Sequence, residues 1–463
     1  MSWVHHLVLL SAVEIEESSV PTYEVTCAAG TIVGLTDGRE ARFLGIPFAE
    51  APTGSRRFAA PMPRPVFDEP FSASAFGATP QRGQPYPVTT IPEPSIPGDD
   101  TLTLNVFAPH DAIEREPAPV LVWIHGGGYT AGSAASPWYG CAPLVGDGIV
   151  FVSLSYRLGV DGFAALDGQA DRGVADWMLA LTWVRDNIAA FGGDPDRVTV
   201  AGQSAGGGAV LALLASPQAQ PLFHRAIAVS PIDISIPLVE ATRHSARLAE
   251  SLGVEPTADG FGSIDPDALQ DAVIHWGERH PEAEDLSLAP VSGGELLPLS
   301  IRDGLAVNGL DKPLLIGSTA DEFDSPGADG TAKPTAFPRE TDTLFRATVL
   351  RTARARASAD VGTWLYSFDW ESPILGGAAH CIDLPFFFDI FGAEGVEAVL
   401  GSEPPTALAD RMHREFVAFV TGAEPSWPAA RGAQGDPTLV FGVDSTVSTR
   451  LVEGAYDQVL PLL

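Results

Sequence analysis

The chain has 463 residues, of which 45% are hydrophobic, and this composition excludes a wholly disordered or collagen-like protein. Its 27 Lys and Arg residues against 59 Asp and Glu residues give a formal net charge of −32, which disfavours binding to nucleic acid or to anionic membranes. The three cysteines imply no disulfide framework. The composition predicts a globular protein of a reducing compartment, with neither nucleic-acid nor membrane partners.

The N-terminus is predicted to be a poorly ordered extension, residues 1–22, followed by a single domain over 23–463. The short apolar run at 7–10 has no Lys or Arg before it, so it does not match a secretory signal. Two long uncharged stretches, 117–146 and 198–223, are interrupted by glycine clusters. Neither reads as a continuous apolar membrane span of about 20 residues.

Strand and helix signals alternate along most of the chain. Apolar, β-rich runs predict strands at 119–124, 148–153, 197–201, 314–319 and 363–368, and helical spacing predicts helices at 176–190 and 206–215. This alternation predicts a mainly parallel sheet covered on both faces. Residues 31–35 and 41–44 are typical of hairpin strands, so we expect an antiparallel N-terminal edge.

The strongest local motif is Gly202-Gln203-Ser204-Ala205-Gly206, between a predicted strand and a predicted helix. A sharp strand-to-helix turn strains the serine and exposes its hydroxyl, and small neighbours permit such a turn. The motif alone also matches structural turns. Its flanking elements favour a nucleophilic serine at position 204.

A second motif, His125-Gly126-Gly127-Gly128-Tyr129, follows the predicted strand 119–124. Consecutive glycines allow backbone N–H groups to point into a cavity, as stabilisation of a tetrahedral oxyanion requires. A flexible loop is the alternative. The serine motif downstream favours an oxyanion hole.

A serine nucleophile needs a base, and the base needs a carboxylate to orient it. Of the histidines downstream of Ser204, His380 lies in a turn of small residues after the predicted strand 363–368. Glu322 follows the predicted strand 314–319, and Asp321 beside it is a rival acid. No cluster of residues has metal-ligand spacing, and no phosphate-binding glycine loop occurs, so neither metal nor cofactor is expected.

Further segments carry a family resemblance, from about residue 30 to about residue 447. They are 43–52 with Arg57 and Phe58, 99–106, 155–159, 191–195, 202–207 and 317–322. In these segments the chain resembles the type-B carboxylesterases, which include the bacterial p-nitrobenzyl esterases and the cholinesterases. The resemblance implies the α/β-hydrolase fold, with a central mostly parallel sheet, flanking helices and helical insertions around the active-site gorge.

Residue by residue, the resemblance implies Ser204 as nucleophile, Glu322 as acid and His380 as base. It implies the backbone N–H groups of Gly127, Gly128 and Ala205 as oxyanion donors. It favours Glu322 over Asp321 and places Ser230 near the triad, although a hydroxyl that only satisfies backbone groups is an equal alternative. Candidate pocket residues are Trp138, Phe323, Phe387 and Phe388. The resemblance also pairs Arg157 with Asp176 under the site, which we interpret as a structural ion pair.

Three departures from the family pattern stand out. Thr79 and Thr101 occupy positions where relatives often have a disulfide, which favours a cytoplasmic bacterial enzyme. Phe323 stands where the family commonly has glycine, so we expect it to narrow the site. The acid-to-base spacing, 380 − 322 = 58 residues, is short, which predicts a trimmed gorge wall at about 323–365 and a more open pocket.

These features together predict a serine carboxylesterase that hydrolyses neutral carboxylic esters through an acyl-enzyme, including bulky or aromatic esters, without a cofactor. An amidase or carbamate hydrolase with the same triad is one alternative. A non-catalytic, cholinesterase-like binding protein is another, disfavoured because all three triad residues are present. The expected partner is a small-molecule ester, and the expected state is a monomer or small homo-oligomer.

Overall fold

The computed structural model describes residues 21–80, 91–280, 286–323, 341–442 and 448–463. The expected disordered extension, 1–22, lies outside these ranges except for its last two residues, and so does the stretch 324–340 of the expected trimmed wall. The strands are β1 Thr22–Cys27, β2 Gly30–Thr36, β3 Glu40–Pro47, β4 Phe71–Ser72, β5 Thr103–Pro109, β6 Ala118–Ile124, β7 Val150–Leu154, β8 Gly193–Gln203, β9 Arg225–Val229, β10 Ile236–Pro237, β11 Val291–Ser292, β12 Leu314–Thr319, β13 Thr363–Phe368, β14 Pro437–Phe441 and β15 Thr449–Glu453.

The helices lie between these strands and after them. They are α1 Ala142–Gly146, α2 Gly159–Phe163, α3 Arg172–Asn187, α4 Ala205–Ala215, α5 Leu238–Leu252, α6 Ala258–Gly262, α7 Pro266–Ile274, α8 Trp276–Arg279, α9 Ile301–Leu305, α10 Ala347–Ala355, α11 Leu384–Phe388, α12 Val396–Leu400 and α13 Thr406–Thr421. A π-helical turn, Thr341–Arg346, precedes α10. Of the helices in the described ranges, none combines the length and the apolar character needed to cross a bilayer.

One large mixed sheet runs in the order β1-β2-β3-β5-β7-β6-β8-β9-β12-β13-β14-β15, with β4 added beside β2. The seven strands from β7 to β14 in this order pair in parallel. On the N-terminal side the successive strands β1, β2, β3, β5 and β7 pair antiparallel, with Leu35 opposite Arg42 and Thr36 opposite Ala41. The predicted α/β architecture and its antiparallel N-terminal edge are confirmed.

Strand β6 shows how the sheet is covered on both faces. Its side chains alternate between two buried apolar clusters, because successive residues of a strand point to opposite faces. Val120 and Val122 enter the cluster that contains helices α3 and α4. Leu121 and Trp123 enter the cluster that contains α11 and α13. A central parallel strand buried in this way reads as a continuous apolar run, which is why the sequence predicts it.

The carboxyl ends of the parallel strands meet at one edge of the sheet. Chain segments 125–130, 204–205, 230–233, 320–323 and 369–383 leave β6, β8, β9, β12 and β13 there. In open α/β sheets this edge is where ligands bind.

Candidate active site

Ser204 occupies the turn between β8 and α4. Its backbone has φ 58° and ψ −123°, a conformation that a non-glycine residue adopts only under strain. The turn is held by the Ser204 N–H, which donates to the Val229 carbonyl at 2.9 Å, and by the Gly208 N–H, which donates to the Ser204 carbonyl at 2.8 Å. The side chain is half-buried at the edge of the sheet.

Glycines on both sides make this turn possible. A Cβ at Gly206 would lie 2.1 Å from the Ile124 carbonyl oxygen, and one at Gly202 would lie 2.4 Å from the Gly206 carbonyl oxygen. Backbone atoms cannot move away from such contacts cheaply, so no larger residue fits at either position. The small residues of the motif are therefore required by the close approach of β6, β8 and α4.

The glycine-rich segment after β6 lies against Ser204. A Cβ at Gly126 would be 3.1 Å from the Ser204 Cβ. Gly127 and Gly128 have φ values of 105° and 61°, and Gly128 is exposed. Within the described part of the chain, the N–H groups of Gly127, Gly128 and Ala205 donate no hydrogen bond, so they are free to bind an anion.

His125 anchors the start of this segment. Its ring stacks on Tyr156, with the ring centroids 4.5 Å apart, and its Nδ1 lies 2.8 Å from the Gly126 carbonyl oxygen. Burial lowers the pKa of His125 to about 4, so the imidazole is neutral at neutral pH. A rigid, uncharged anchor keeps the glycine backbone in a fixed position.

Glu322 and His380 are in direct contact. The Glu322 Oε2 atom is hydrogen-bonded to His380 Nδ1, and the Glu322 side chain is fully buried. The backbones are also joined, because the His380 N–H donates to the Glu322 carbonyl at 2.8 Å. The loop after β13 is thereby fastened to the end of β12, and the imidazole is held by a carboxylate.

Thr319, the last residue of β12, fixes the position of Glu322. Its N–H donates to Glu322 Oε1 at 2.8 Å, and its Oγ1 accepts from the Glu322 N–H at 3.1 Å. The rival carboxylate has a different partner, since Asp321 Oδ2 accepts from the Ala378 N–H at 2.7 Å. Burial raises the pKa of Asp321, and the hydrogen bond from Ala378 opposes this effect. Of the two acids, Glu322 is the one that contacts His380.

His380 has three further contacts, of which the one with Phe323 was among the predicted site residues and those with Gln203 and Phe345 were not. Gln203 Nε2 lies 3.0 Å from His380 Nε2. Two phenyl rings cover the imidazole, with centroids 4.7 Å away for Phe323 and 5.0 Å away for Phe345. The Ser204 hydroxyl makes no hydrogen bond within the described ranges. In this structure the partner of His380 Nε2 is therefore not Ser204 but the side-chain amide of Gln203, the residue before it.

A further buried acid lies close to the Glu322–His380 pair. Asp383 is fully buried, and its Oδ2 accepts a hydrogen bond from the Tyr366 hydroxyl at 3.4 Å. Burial first, and then the negative charge of Glu322, raise the pKa of Asp383 to about 7. Near neutral pH this side chain is therefore partly protonated.

The remaining predicted site residues have other surroundings. Ser230 follows β9, and its buried hydroxyl has no hydrogen-bond partner in the described part of the chain. Trp138, Phe387 and Phe388 are buried in the apolar cluster around α11 and α13, where the indole Nε1–H of Trp138 donates to the Glu394 carbonyl at 2.9 Å. Of the four aromatic pocket candidates, only Phe323 has a ring contact with His380 among the described residues. The two phenylalanines of α11 and Trp138 are instead buried in the core.

The sequence contained partial signals for the residues that were missed. Gln203 stands inside the serine motif, next to the nucleophile candidate. Thr319 ends the strand that carries Glu322, and Asp383 follows His380 by three positions. Phe345 has no local signal, because it reaches His380 from the π-helical turn before α10.

Arg157 and Asp176 form a buried ion pair, as the sequence analysis expected. Arg157 donates to the Asp176 carboxylate from Nη2 at 2.6 Å, from Nε at 2.9 Å and from its backbone N–H at 3.0 Å. Both side chains are almost fully buried. The described residues contain no group of three or more His, Cys, Asp or Glu side chains placed to hold a metal ion.

Comparisons with known proteins identify the family of the chain. A family model described as the carboxylesterase family matches residues 21–340. The chain is 34% identical to the para-nitrobenzyl esterase of Bacillus subtilis, over 88% of this chain and 92% of that protein. It is 31% identical to the phenmedipham hydrolase of Pseudarthrobacter oxydans, over 89% and 94% respectively. A solved PNB esterase structure superposes with a TM-score of 0.82 at 29% identity, covering 94% of this chain and 99% of the other.

Proposed function

Because the chain belongs to the carboxylesterase family and is a carboxylic ester hydrolase, we propose that Ser204, His380 and Glu322 carry out the reaction through an acyl-enzyme. The observation that carries the proposal is the buried Glu322–His380 contact beside the strained Ser204 turn. A carboxylate on Nδ1 keeps the proton on that nitrogen, so Nε2 is left to accept a proton from a nucleophile.

The proposed reaction has two halves. Ser204 Oγ attacks the ester carbonyl carbon while His380 Nε2 takes the hydroxyl proton, and collapse of the tetrahedral intermediate returns that proton to the leaving alcohol. A water molecule then attacks the acyl-enzyme, again losing a proton to His380, and the carboxylic acid leaves. Glu322 stabilises the imidazolium that forms in each half.

The free N–H groups of Gly127, Gly128 and Ala205 are proposed to bind the oxyanion. They need no rearrangement to do so, because none of them has a hydrogen bond to give up within the described residues. Donors fixed in advance stabilise the developing charge without reorganisation at the moment of reaction.

The substrate class proposed is a neutral ester, including bulky or aromatic esters. The net charge of −32 disfavours the approach of a carboxylate, and the short segment between Glu322 and His380 supports an open entrance. Carbamates are a second candidate class, favoured by the relative named phenmedipham hydrolase. We also propose that the enzyme is cytoplasmic and bacterial, because all three cysteines are unpaired and because Thr79 and Thr101 occupy the positions of the family's disulfide. The proposed oligomeric state is a monomer or a small homo-oligomer.

A fluorophosphonate probe tests the proposed nucleophile. We expect the wild-type protein to be labelled once and Ser204→Ala not to be labelled. The rate of ester hydrolysis by Ser204→Ala should fall by a factor on the order of 10⁴ or more. Ser230→Ala is the matched control, because it removes a neighbouring strand-end hydroxyl, and it should keep the label. Hydrolysis by a pure, folded Ser204→Ala protein at the wild-type rate would contradict the mechanism.

A further inference from the structure

A cavity of about 330 Å³ opens at the same edge of the sheet as Ser204. One wall is the segment 52–57, which follows β3, and a second is 157–161, which follows β7. Helix α7 forms the third wall with Leu269, Gln270, Val273 and Ile274. The volume of the cavity falls within the range of about 300–1,000 Å³ that is typical of ligand pockets.

The glycine-rich segment separates this cavity from Ser204. Thr130 lines the cavity, and its hydroxyl donates to the Gly127 carbonyl at 3.5 Å. At the other end of the same segment, Gly126 approaches the Ser204 Cβ. The Gly159 N–H donates to the Tyr129 carbonyl at 2.7 Å and fastens the segment to the cavity wall. A group bound in the cavity would therefore lie just beyond the proposed oxyanion hole.

The chemistry of the lining selects against anions. Leu158, Val160, Leu269 and Val273 give it apolar surface. Arg57 is neutralised by Asp161, to which it donates from Nε at 2.9 Å and from Nη2 at 3.1 Å.

A second lining arginine, Arg157, is neutralised by the buried Asp176. Asp99 at the rim is exposed and has no ion-pair partner in the described ranges. The cavity thus combines apolar wall residues with hydroxyl groups, two paired arginines and one uncompensated negative charge.

We infer that this cavity is a subsite for an uncharged alkyl or aryl group of the ester, at the end remote from the scissile bond. The inference rests on the proposed function. The group can belong to the acyl part or to the alcohol part, and its binding there contributes to kcat/KM only for esters long enough to reach past Gly128.

Filling the cavity tests this assignment. Val273→Trp places a large side chain into the cavity from α7, and Gln270→Trp does the same from a second lining position. Ala268→Trp is the matched control, because Ala268 is exposed on the same helix and does not line the cavity. Thermal unfolding of all three variants checks that they are folded.

The substrates are ethyl acetate, ethyl octanoate and 2-naphthyl acetate. Hydrolysis of each is measured by the protons that it releases. We expect the filled variants to lower the kcat/KM ratio of one larger ester to ethyl acetate at least about tenfold, the contribution of roughly two buried methylene groups. The ester affected identifies the acyl or the alcohol part as the occupant. Ala268→Trp should leave both ratios unchanged.

Unchanged ratios in both filled variants would overturn the subsite. Failure of the wild-type protein to hydrolyse any of the esters would instead contradict the proposed function, so the two failures are distinguishable. Monoethyl octanedioate, which carries a terminal carboxylate, provides a further test. It should be a poorer substrate than ethyl octanoate, and Asp99→Asn should narrow the difference; if it is the better substrate at low salt, the assigned chemistry of the lining is wrong.

Discussion

The Gln203 side-chain nitrogen lies 3.0 Å from His380 Nε2, so the residue that precedes Ser204 engages the nitrogen proposed to act as base. With Glu322 on Nδ1, both ring nitrogens have partners, and the amide donor favours the tautomer with its proton on Nδ1. Transfer of the proton from Ser204 then requires the Gln203 amide to give up this contact.

The first prediction concerns the charge at position 203. Gln203→Glu would put a carboxylate beside His380 Nε2 and stabilise the imidazolium. We therefore expect the acid limb of the kcat/KM profile to move to higher pH, by about one pH unit if the gain is about 1.4 kcal/mol. Gln203→Met, which is neutral and similar in size, should not move the acid limb upward. An unmoved limb in Gln203→Glu would mean that this contact does not influence the base.

The second prediction separates the two neighbouring acids. Glu322→Gln should lower kcat on the order of 10⁴-fold, because the imidazole loses the carboxylate that orients it and stabilises its cation. Asp321→Asn should have a far smaller effect on kcat, since its carboxylate bonds the Ala378 N–H instead. Steady-state kinetics on one ester measures both. The reverse order of effects would assign the acid to Asp321.

The third prediction concerns stability. Asp176→Asn removes the charge that compensates the buried Arg157 guanidinium, which should lower the free energy of unfolding by about 3–5 kcal/mol. Asp186→Asn, which removes one partner of an exposed ion pair with Arg185, should cost less than about 1 kcal/mol. Denaturant unfolding of both variants gives the comparison, and equal small losses would contradict a structural role for the buried pair.

The fourth prediction follows from the pKa of Asp383, which burial raises to about 7. Between pH of about 4 and about 7, the unfolded chain has released a proton that the folded protein still holds, so this group makes the unfolding free energy fall as the pH rises. The full effect is at most about 4 kcal/mol.

Asp383→Asn removes this contribution, so the variant should lose less stability than wild type between pH 5 and pH 8. Unfolding midpoints at these pH values measure the difference. Asp389→Asn, an exposed neighbour, is the control and should follow wild type. Parallel pH dependences in wild type and Asp383→Asn would show that Asp383 is ionised throughout the range.

The strands were predictable because each central strand is buried on both faces and appears as an uninterrupted apolar run. The run 363–368 coincides with β13, and 119–124 differs from β6 by one residue. The start of α3 was predicted four residues late. Arg172 opens this helix with its side chain buried, donating to the carbonyls of Val160, Asp161 and Ala164, a tertiary arrangement without a local pattern.

The residues of the candidate site also fall into those that a local pattern predicts and those that depend on tertiary contacts. The turn at Ser204 and the glycines after β6 are local motifs, so spacing and flanking elements were enough to predict their positions. The partners of His380 depend on which distant segments the sheet brings together. Phe345 and Gln203 are chemically ordinary residues, and their contacts with His380 arise only after β8, β12 and β13 are assembled.

The strand order also has a kinetic consequence during synthesis. The contact between Gln203 and His380 spans 177 residues, and β13, which leads to His380, pairs with β12 and β14. Such non-local pairings close late in folding because their loop entropy must be overcome first. A nascent chain that has emerged only as far as α10 has the serine turn and the glycine segment but no proposed base. Ester hydrolysis is therefore expected only after β13 has joined the sheet and placed His380, which makes enzymatic activity a reporter of that pairing.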